Sequence, residues 1–283
     1  MISGDGRVGA TVETQIVSVA GDVRTAGYDR LATEEPLEIR LRAGGHTRTA
    51  AITMRTPGAD FELAAGFLFN EGVIAGIESV AGITYCVDRD VDEEQRYNIV
   101  NVDLHAAELP PLDALERHFL TTSACGVCGK ANIDALRARG LAPVASAVRV
   151  DASLIAQLPD RLASAQRLFA ATGGLHAAGL FDARGDLKAV REDVGRHNAL
   201  DKLVGWALIE RRLPLDAHVL LVSGRASYEL VQKAIAAGIP VVCAVSAPSS
   251  LAVDLAREFG LTLTGFVRGG RFNVYAGIER IAT

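Results

Sequence analysis

Val219-Leu220-Leu221-Val222-Ser223-Gly224-Arg225-Ala226-Ser227 and Val241-Val242-Cys243-Ala244-Val245-Ser246-Ala247-Pro248-Ser249-Ser250 decide the fold of this chain. Each opens on a short, near-continuous apolar run, the pattern of a strand covered on both faces. Each run stops at a Ser/Gly or Ser/Pro turn and leads into a helical stretch, 227–237 and 250–259, closed by Gly238 and Gly260. A further strand is expected at 261–267. Strands alternating with helices imply parallel pairing, with helices covering the sheet. Upstream, the spacing predicts a helix over 160–171 ended by Gly173-Gly174, a hairpin of 177–181 and 187–191, and a helix over 195–210.

The first half is β-rich. Leu37, Ile39 and Leu41 alternate with polar partners, and Gly44-Gly45 turns the chain into a second strand at 47–55. Thr56-Pro57 predicts a helix start, with Thr56 as the cap, and Gly72 its stop. Two more strands are expected at 83–87 and 98–104. Pro110-Pro111 marks a boundary, followed by a short helix over 112–119. The expected organisation is a flexible tail (1–11), a β-rich N-terminal domain (12–110), a mobile loop region (111–140) and an α/β domain (141–283).

The 283 residues are 49% hydrophobic and carry a formal net charge of −5, so the chain is globular and no broad basic field offers itself to nucleic acid. No segment has the length and purity of a membrane span, and the N-terminus lacks the apolar core of a signal peptide. A cytoplasmic location is expected. Thiols stay reduced there, so the four cysteines are read as chemistry or packing rather than as a disulfide framework.

Thr121-Thr122-Ser123-Ala124-Cys125-Gly126-Val127-Cys128-Gly129-Lys130 is the strongest local signal. Two thiols three apart can meet, and glycines let the backbone turn. Lys130 and the N-terminus of a helix-like stretch at 131–139 favour thiolate, the nucleophile that accepts sulfur from a persulfide. Packed cysteines, a zinc site and dithiol exchange are the competing readings. Zinc commonly needs two such pairs, and thioredoxin-type exchange wants the pair at a strand-to-helix turn. A sulfur-carrying loop fits a pair that follows a helix at a domain boundary. Cys86 and Cys243 sit among apolar neighbours and read as core residues.

Ligands of parallel α/β sheets bind where loops leave the carboxyl ends of strands. The loops Ser223-Gly224-Arg225 and Ser246–Ser249 offer hydroxyls, backbone N–H groups and helix N-termini, which suit a phosphate; the bland alternative is ordinary helix capping. Asp193, His197 and Asp201 would share one helix face, as a solvated charged face or as a rim, joined by His176, for a guanine base and ribose. Phe266-Val267-Arg268-Gly269-Gly270-Arg271 sets two arginines around a Gly-Gly turn, able to grip a diphosphate or, more simply, to form a surface hairpin.

From about Thr33 onward the chain resembles the FdhD/NarQ family through Ser123–Lys130, Arg191–Asp201, Ser223–Ser227, Ser246–Ser250 and Phe266–Arg271. The resemblance implies a cytidine-deaminase-like three-layer αβα second half. It implies a sulfurtransferase that takes persulfide sulfur from a cysteine desulfurase onto Cys125. The sulfur would pass to the molybdenum bis-guanine-dinucleotide cofactor of formate dehydrogenase. It further implies contact of Phe266–Arg271 with that cofactor, a pocket similar to those of guanine-nucleotide binders, in which GDP could stand in for the cofactor, and a homodimer. Cys128 would assist Cys125. No metal of its own is expected: His197 is followed by Asn198-Ala199 and Cys125 is preceded by Ala124, so the His-x-Glu and Pro-Cys-x-x-Cys elements of zinc deaminases are missing. The rival readings are a nucleotide-binding dithiol/disulfide redox or regulatory module and a zinc-stabilised structural protein.

Overall fold

A computed structural model describes residues 9–88, 90–111, 136–137 and 139–283. Two ten-residue strands, β1 (Thr11–Ala20) and β2 (Val23–Ala32), form an antiparallel ribbon. β3 (Glu35–Ala43), β4 (His46–Arg55), β5 (Val80–Tyr85) and β6 (Ile99–Leu104) build a four-stranded sheet in the order β4-β3-β6-β5. Helix α1 (Asp60–Asn70) covers it, burying Leu63, Ala64 and Leu68 against Leu37, Ile39, Leu41, Val100 and Val102.

The second half holds β7 (Val150–Asp151), α2 (Ala152–Ala165), α3 (Arg167–Thr172), β8 (His176–Asp182), β9 (Leu187–Asp193), α4 (Arg196–Ile209), β10 (His218–Val222), α5 (Tyr228–Ala236), β11 (Val241–Ala244), α6 (Ser250–Glu258), β12 (Thr262–Arg268), β13 (Arg271–Ala276) and β14 (Ile281–Ala282). Six of these strands form a sheet in the order β13-β12-β11-β10-β8-β9. The expected parallel pairing holds for β10, β11 and β12, while β8, β9 and β13 join antiparallel. Strand alternation splits the core into two layers. Val219, Leu221, Val241 and Cys243 pack with Ile155, Leu158 and Leu162 of α2. Leu220, Val222, Val242 and Ala244 pack with Leu203 of α4, Leu230 of α5 and Leu255 of α6. The mixed α/β architecture and its three-layer second half are those the sequence implied.

Three helix boundaries differ from expectation, and the strand predicted at 83–87 runs over Val80–Tyr85. The helix predicted from Thr56 starts at Asp60, because Thr56 is buried and spent elsewhere: its hydroxyl accepts the Val194 N–H and its carbonyl accepts Lys202 Nζ. The helix predicted over 160–171 begins at Ala152, where the Asp151 side chain accepts the Ser153 N–H, and breaks at Gln166. Helix α3 then starts under Glu192, whose carboxylate accepts the Leu168 and Phe169 N–H groups. The helix predicted at 112–119 and the Cys125–Cys128 loop lie outside the described residues.

Candidate functional site

The carboxyl ends of β10, β11 and β12 lie side by side, stitched by backbone hydrogen bonds. Ser246 N–H donates to the Gly224 carbonyl at 3.2 Å, Phe266 N–H to the Ser246 carbonyl at 3.1 Å, and Ser249 N–H to the Ala226 carbonyl at 3.0 Å. These bonds bring the predicted loops Ser223–Ser227, Ser246–Ser250 and the Phe266 end of β12 into one row. The hydroxyls are mostly spent on the fold. Ser223 Oγ accepts the Ala177 N–H at 2.9 Å and ties the loop to β8. Ser249 caps α6 through the Ala252 N–H. Arg225, Arg268 and Arg271 are exposed.

His176 and His197 join this row. His176 opens β8 opposite Asp193 on β9. A Cβ on Gly224 would lie 3.4 Å from His176 Nδ1 and 3.9 Å from Arg196 Cδ, so the bare glycine backbone leaves a notch between the two side chains. Burial, then the Arg196 and His197 charges, hold His176 below its ordinary value. His197 Nε2 lies 2.9 Å from the Glu229 carboxylate and 3.3 Å from Ser227 Oγ. The bond to His197 is the main reason that the Glu229 carboxyl is lowered to about 2.

The Phe266 end is strained. Phe266 has φ 53 and lies within a register shift between Gly265 and Arg268. A bulky residue in the left-handed region is an outlier that costs of order 1–3 kcal/mol. The half-buried ring carries the Arg268 guanidinium 5.5 Å from its centroid. Gly269 and Gly270 form the turn, with Arg268 paired to Arg271 across it. The segment is thus a hairpin, with Phe266 set by the bulge at the end of the row of loops.

Two predicted site residues lie elsewhere. Val267 is fully buried in the α2-side core. Asp201 is 2% exposed, its carboxylate taken by Lys233 Nζ at 2.7 and 2.8 Å and by Asn70 Nδ2 at 2.7 Å. Asp193 is also buried: it closes β9 and accepts from Thr56 N, Gly195 N, Asn198 Nδ2 and Lys202 Nζ. The charged run is therefore neither a solvated face nor, at these two positions, a ligand rim. Its buried carboxylates pin the halves of the molecule together. Sequence reasoning passed over Arg196, whose Nε is buried without a partner. Its signal was its place at the first turn of α4, hidden inside the charged run.

Of the four cysteines, the two described are enclosed. Cys86 is 3% exposed and Cys243 is fully buried, where burial pushes its thiol up to about 12. The chain that follows the Cys125–Cys128 stretch is anchored beside the row. Leu136 enters the core next to α4 and α5, and Arg139 donates to the Asn70 carbonyl. The Arg139 charge also acts on Tyr228, the neighbour of Ser227 and Glu229.

A family model described as the FdhD/NarQ family matches residues 32–282. The sulfur carrier protein FdhD of Streptomyces coelicolor is 55% identical over 279 residues, covering 98% of this chain and 97% of that protein. That of Sulfurisphaera tokodaii is 43% identical over 267 residues, covering 94% and 97%. A crystal structure described as a formate dehydrogenase accessory protein from Desulfotalea psychrophila is similar with a TM-score of 0.74 and 25% identity, covering 96% of this chain and all of that one. The chain belongs to the FdhD/NarQ family.

Proposed function

We propose that this protein is a sulfur carrier serving formate dehydrogenase: it takes sulfane sulfur from a cysteine desulfurase persulfide onto Cys125 and delivers it to the molybdenum bis-guanine-dinucleotide cofactor. The cofactor is cargo and substrate here, not a resident group. A homodimer in the cytoplasm is the working unit in this reading.

The observation that carries the proposal is the burial of Cys86 and Cys243. A persulfide acceptor must be a reachable thiolate, and a fully enclosed thiol held near 12 is neither reachable nor ionised. Thiol chemistry falls to Cys125 and Cys128. Cys128 precedes the anchored Leu136 by eight residues, a tether of at most roughly 28 Å. The row of loops beside that anchor suits the cargo. Phe266 can stack on a guanine base, as aromatic side chains do with any base. Arg225, Arg268 and Arg271 supply guanidinium groups for its phosphates.

In the first step the Cys125 thiolate attacks the outer sulfur of the donor persulfide, the donor S–S bond breaks, and the donor leaves as thiolate. In the second, Cys128 attacks the inner sulfur of the Cys125 persulfide. The pair becomes a disulfide and the outer sulfur leaves, reduced to sulfide, for the metal.

Mass spectrometry after incubation with desulfurase and cysteine tests the reading. One added sulfur atom on Cys125, released as sulfide by reductant, is expected. Equal loading of Cys125→Ala overturns the assignment, and a disulfide without sulfide release favours the redox module instead.

A further inference from the structure

The geometry points to Arg196, with His176 across the Gly224 notch, as the principal phosphate-binding side chain of the loop row. The inference rests on the nucleotide cargo proposed above and assigns its main anion contact to a residue that the sequence did not single out.

Three observations carry it. First, Arg196 is an unspent guanidinium. Other buried or half-buried arginines have acceptors within the fold: Arg55 bonds Asp60, Arg191 bonds Glu62 and Arg42 bonds Asp103, while Arg139 and Arg161 bond the Asn70 and Gly185 carbonyls. Among the described residues Arg196 has no ion pair and no hydrogen bond from its side chain, and its Nε is buried. Leaving such a donor unmet is unfavourable, and more so for a charged group. The fold keeps that cost where an acceptor from outside would remove it.

Second, the notch lacks a wall. Gly224 puts no side chain at a point that lies 3.4 Å from His176 Nδ1 and 3.9 Å from Arg196 Cδ. A phosphate oxygen there would meet the guanidinium on one side and the imidazole on the other. Arg196 also begins α4, fourteen residues long, whose Gly195 cap provides no side-chain acceptor for the first N–H groups. The helix terminus adds donors and a favourable dipole.

Third, the carboxylates around Arg196 are engaged elsewhere. Glu229 is bonded to His197, and Asp193 is filled by Lys202, Thr56, Gly195 and Asn198. The Arg196 charge acts on Glu229, but neither carboxylate is bonded to the guanidinium. Arg225, by contrast, is exposed, where a contact is screened and weak.

The test is calorimetric titration of the full chain with GDP, inorganic pyrophosphate and guanosine. Wild type is expected to bind GDP and pyrophosphate. Arg196→Gln should lose at least tenfold in affinity for both and leave guanosine unchanged. Arg184→Gln, an exposed residue on the β8–β9 turn, should match wild type. Arg196→Lys and Gly224→Ala guard against a folding artefact. Lysine keeps charge without the planar fork and should lose part of the affinity, while the added methyl should weaken pyrophosphate with melting unchanged. Wild-type binding that Arg196→Gln or Arg196→Lys leaves intact overturns this inference alone. No wild-type binding of either phosphate compound overturns the nucleotide-cargo reading and this inference with it.

Discussion

Gly66 and Gly205 meet backbone to backbone where α1 crosses α4. A Cβ on Gly66 would stand 2.7 Å from the Gly205 nitrogen, and one on Gly205 would stand 2.8 Å from the Gly66 nitrogen. This crossing joins the four-stranded half to the six-stranded half. Gly66→Ala would gain about 1 kcal/mol of helix propensity. The clash is with main chain, which cannot rotate away, so overpacking of about 1–3 kcal/mol should win. Chemical denaturation should show a net loss for Gly66→Ala and a larger one for Gly205→Val. An increase in stability would show that the helices cross farther apart.

The same junction buries charge. Lys233 is 4% exposed and bonds both oxygens of Asp201. Burial works against the ammonium, but Asp201 and Glu71 outweigh it and hold Lys233 above its ordinary value. Lys233→Met should cost about 3–5 kcal/mol, because it strands a buried carboxylate. The double variant Lys233→Met/Asp201→Leu should recover much of that loss. Additive losses in urea titrations would refute the coupling.

How far the sequence carried these features follows from range. The apolar runs at Val219 and Val241 announce covered strands because both faces of each are filled by helices of the same half. Thr56 misled because its hydroxyl answers to Val194, distant in sequence. Asp193, Asp201 and Lys202 looked like a solvated run, since charge is rarely buried unless paired. Their partners, Thr56, Asn70 and Lys233, are set by tertiary packing. The β1–β2 ribbon escaped notice because Val17, Val19 and Val23 are exposed, so no buried face imposes alternation. The loop row was legible because strand ends and Ser/Gly turns are local.

His176 should titrate low. Burial, Arg196 and His197 depress it from the ordinary value of 6.5, against a smaller opposing effect of Asp193. A depressed histidine favours the fold in its neutral form. Its contribution is present above the unfolded value near 6.5 and is lost as pH falls through the lower folded value. An NMR titration should place its midpoint below 6.5, and Arg196→Gln should raise it. A midpoint unmoved by that change would separate Arg196 from the imidazole.

Phe266 pays for its position in backbone strain. At φ 53 the residue is costly, and glycine would adopt the same geometry freely. Phe266→Gly therefore trades lost apolar contact against relieved strain, each of order 1–3 kcal/mol. Its melting temperature should change little. Stacking on a base is worth about 1–3 kcal/mol, so GDP affinity should fall roughly fivefold or more. A large stability loss with unchanged affinity would make the ring structural.

Alkylation of the native protein with iodoacetamide separates the two classes of thiol. Cys243 is fully enclosed with its thiol near 12, and Cys86 is 3% exposed with its sulfur accepting the Asp88 N–H at 3.5 Å. Reaction requires an accessible thiolate, so both should stay unmodified until the protein is unfolded. Peptide mapping of wild type should place the label on Cys125 and Cys128. The Cys125→Ala/Cys128→Ala variant should take up label only in denaturant. Label on Cys86 or Cys243 in the folded variant would reopen the question of which thiol carries sulfur, because the choice of Cys125 depends on the other two being closed.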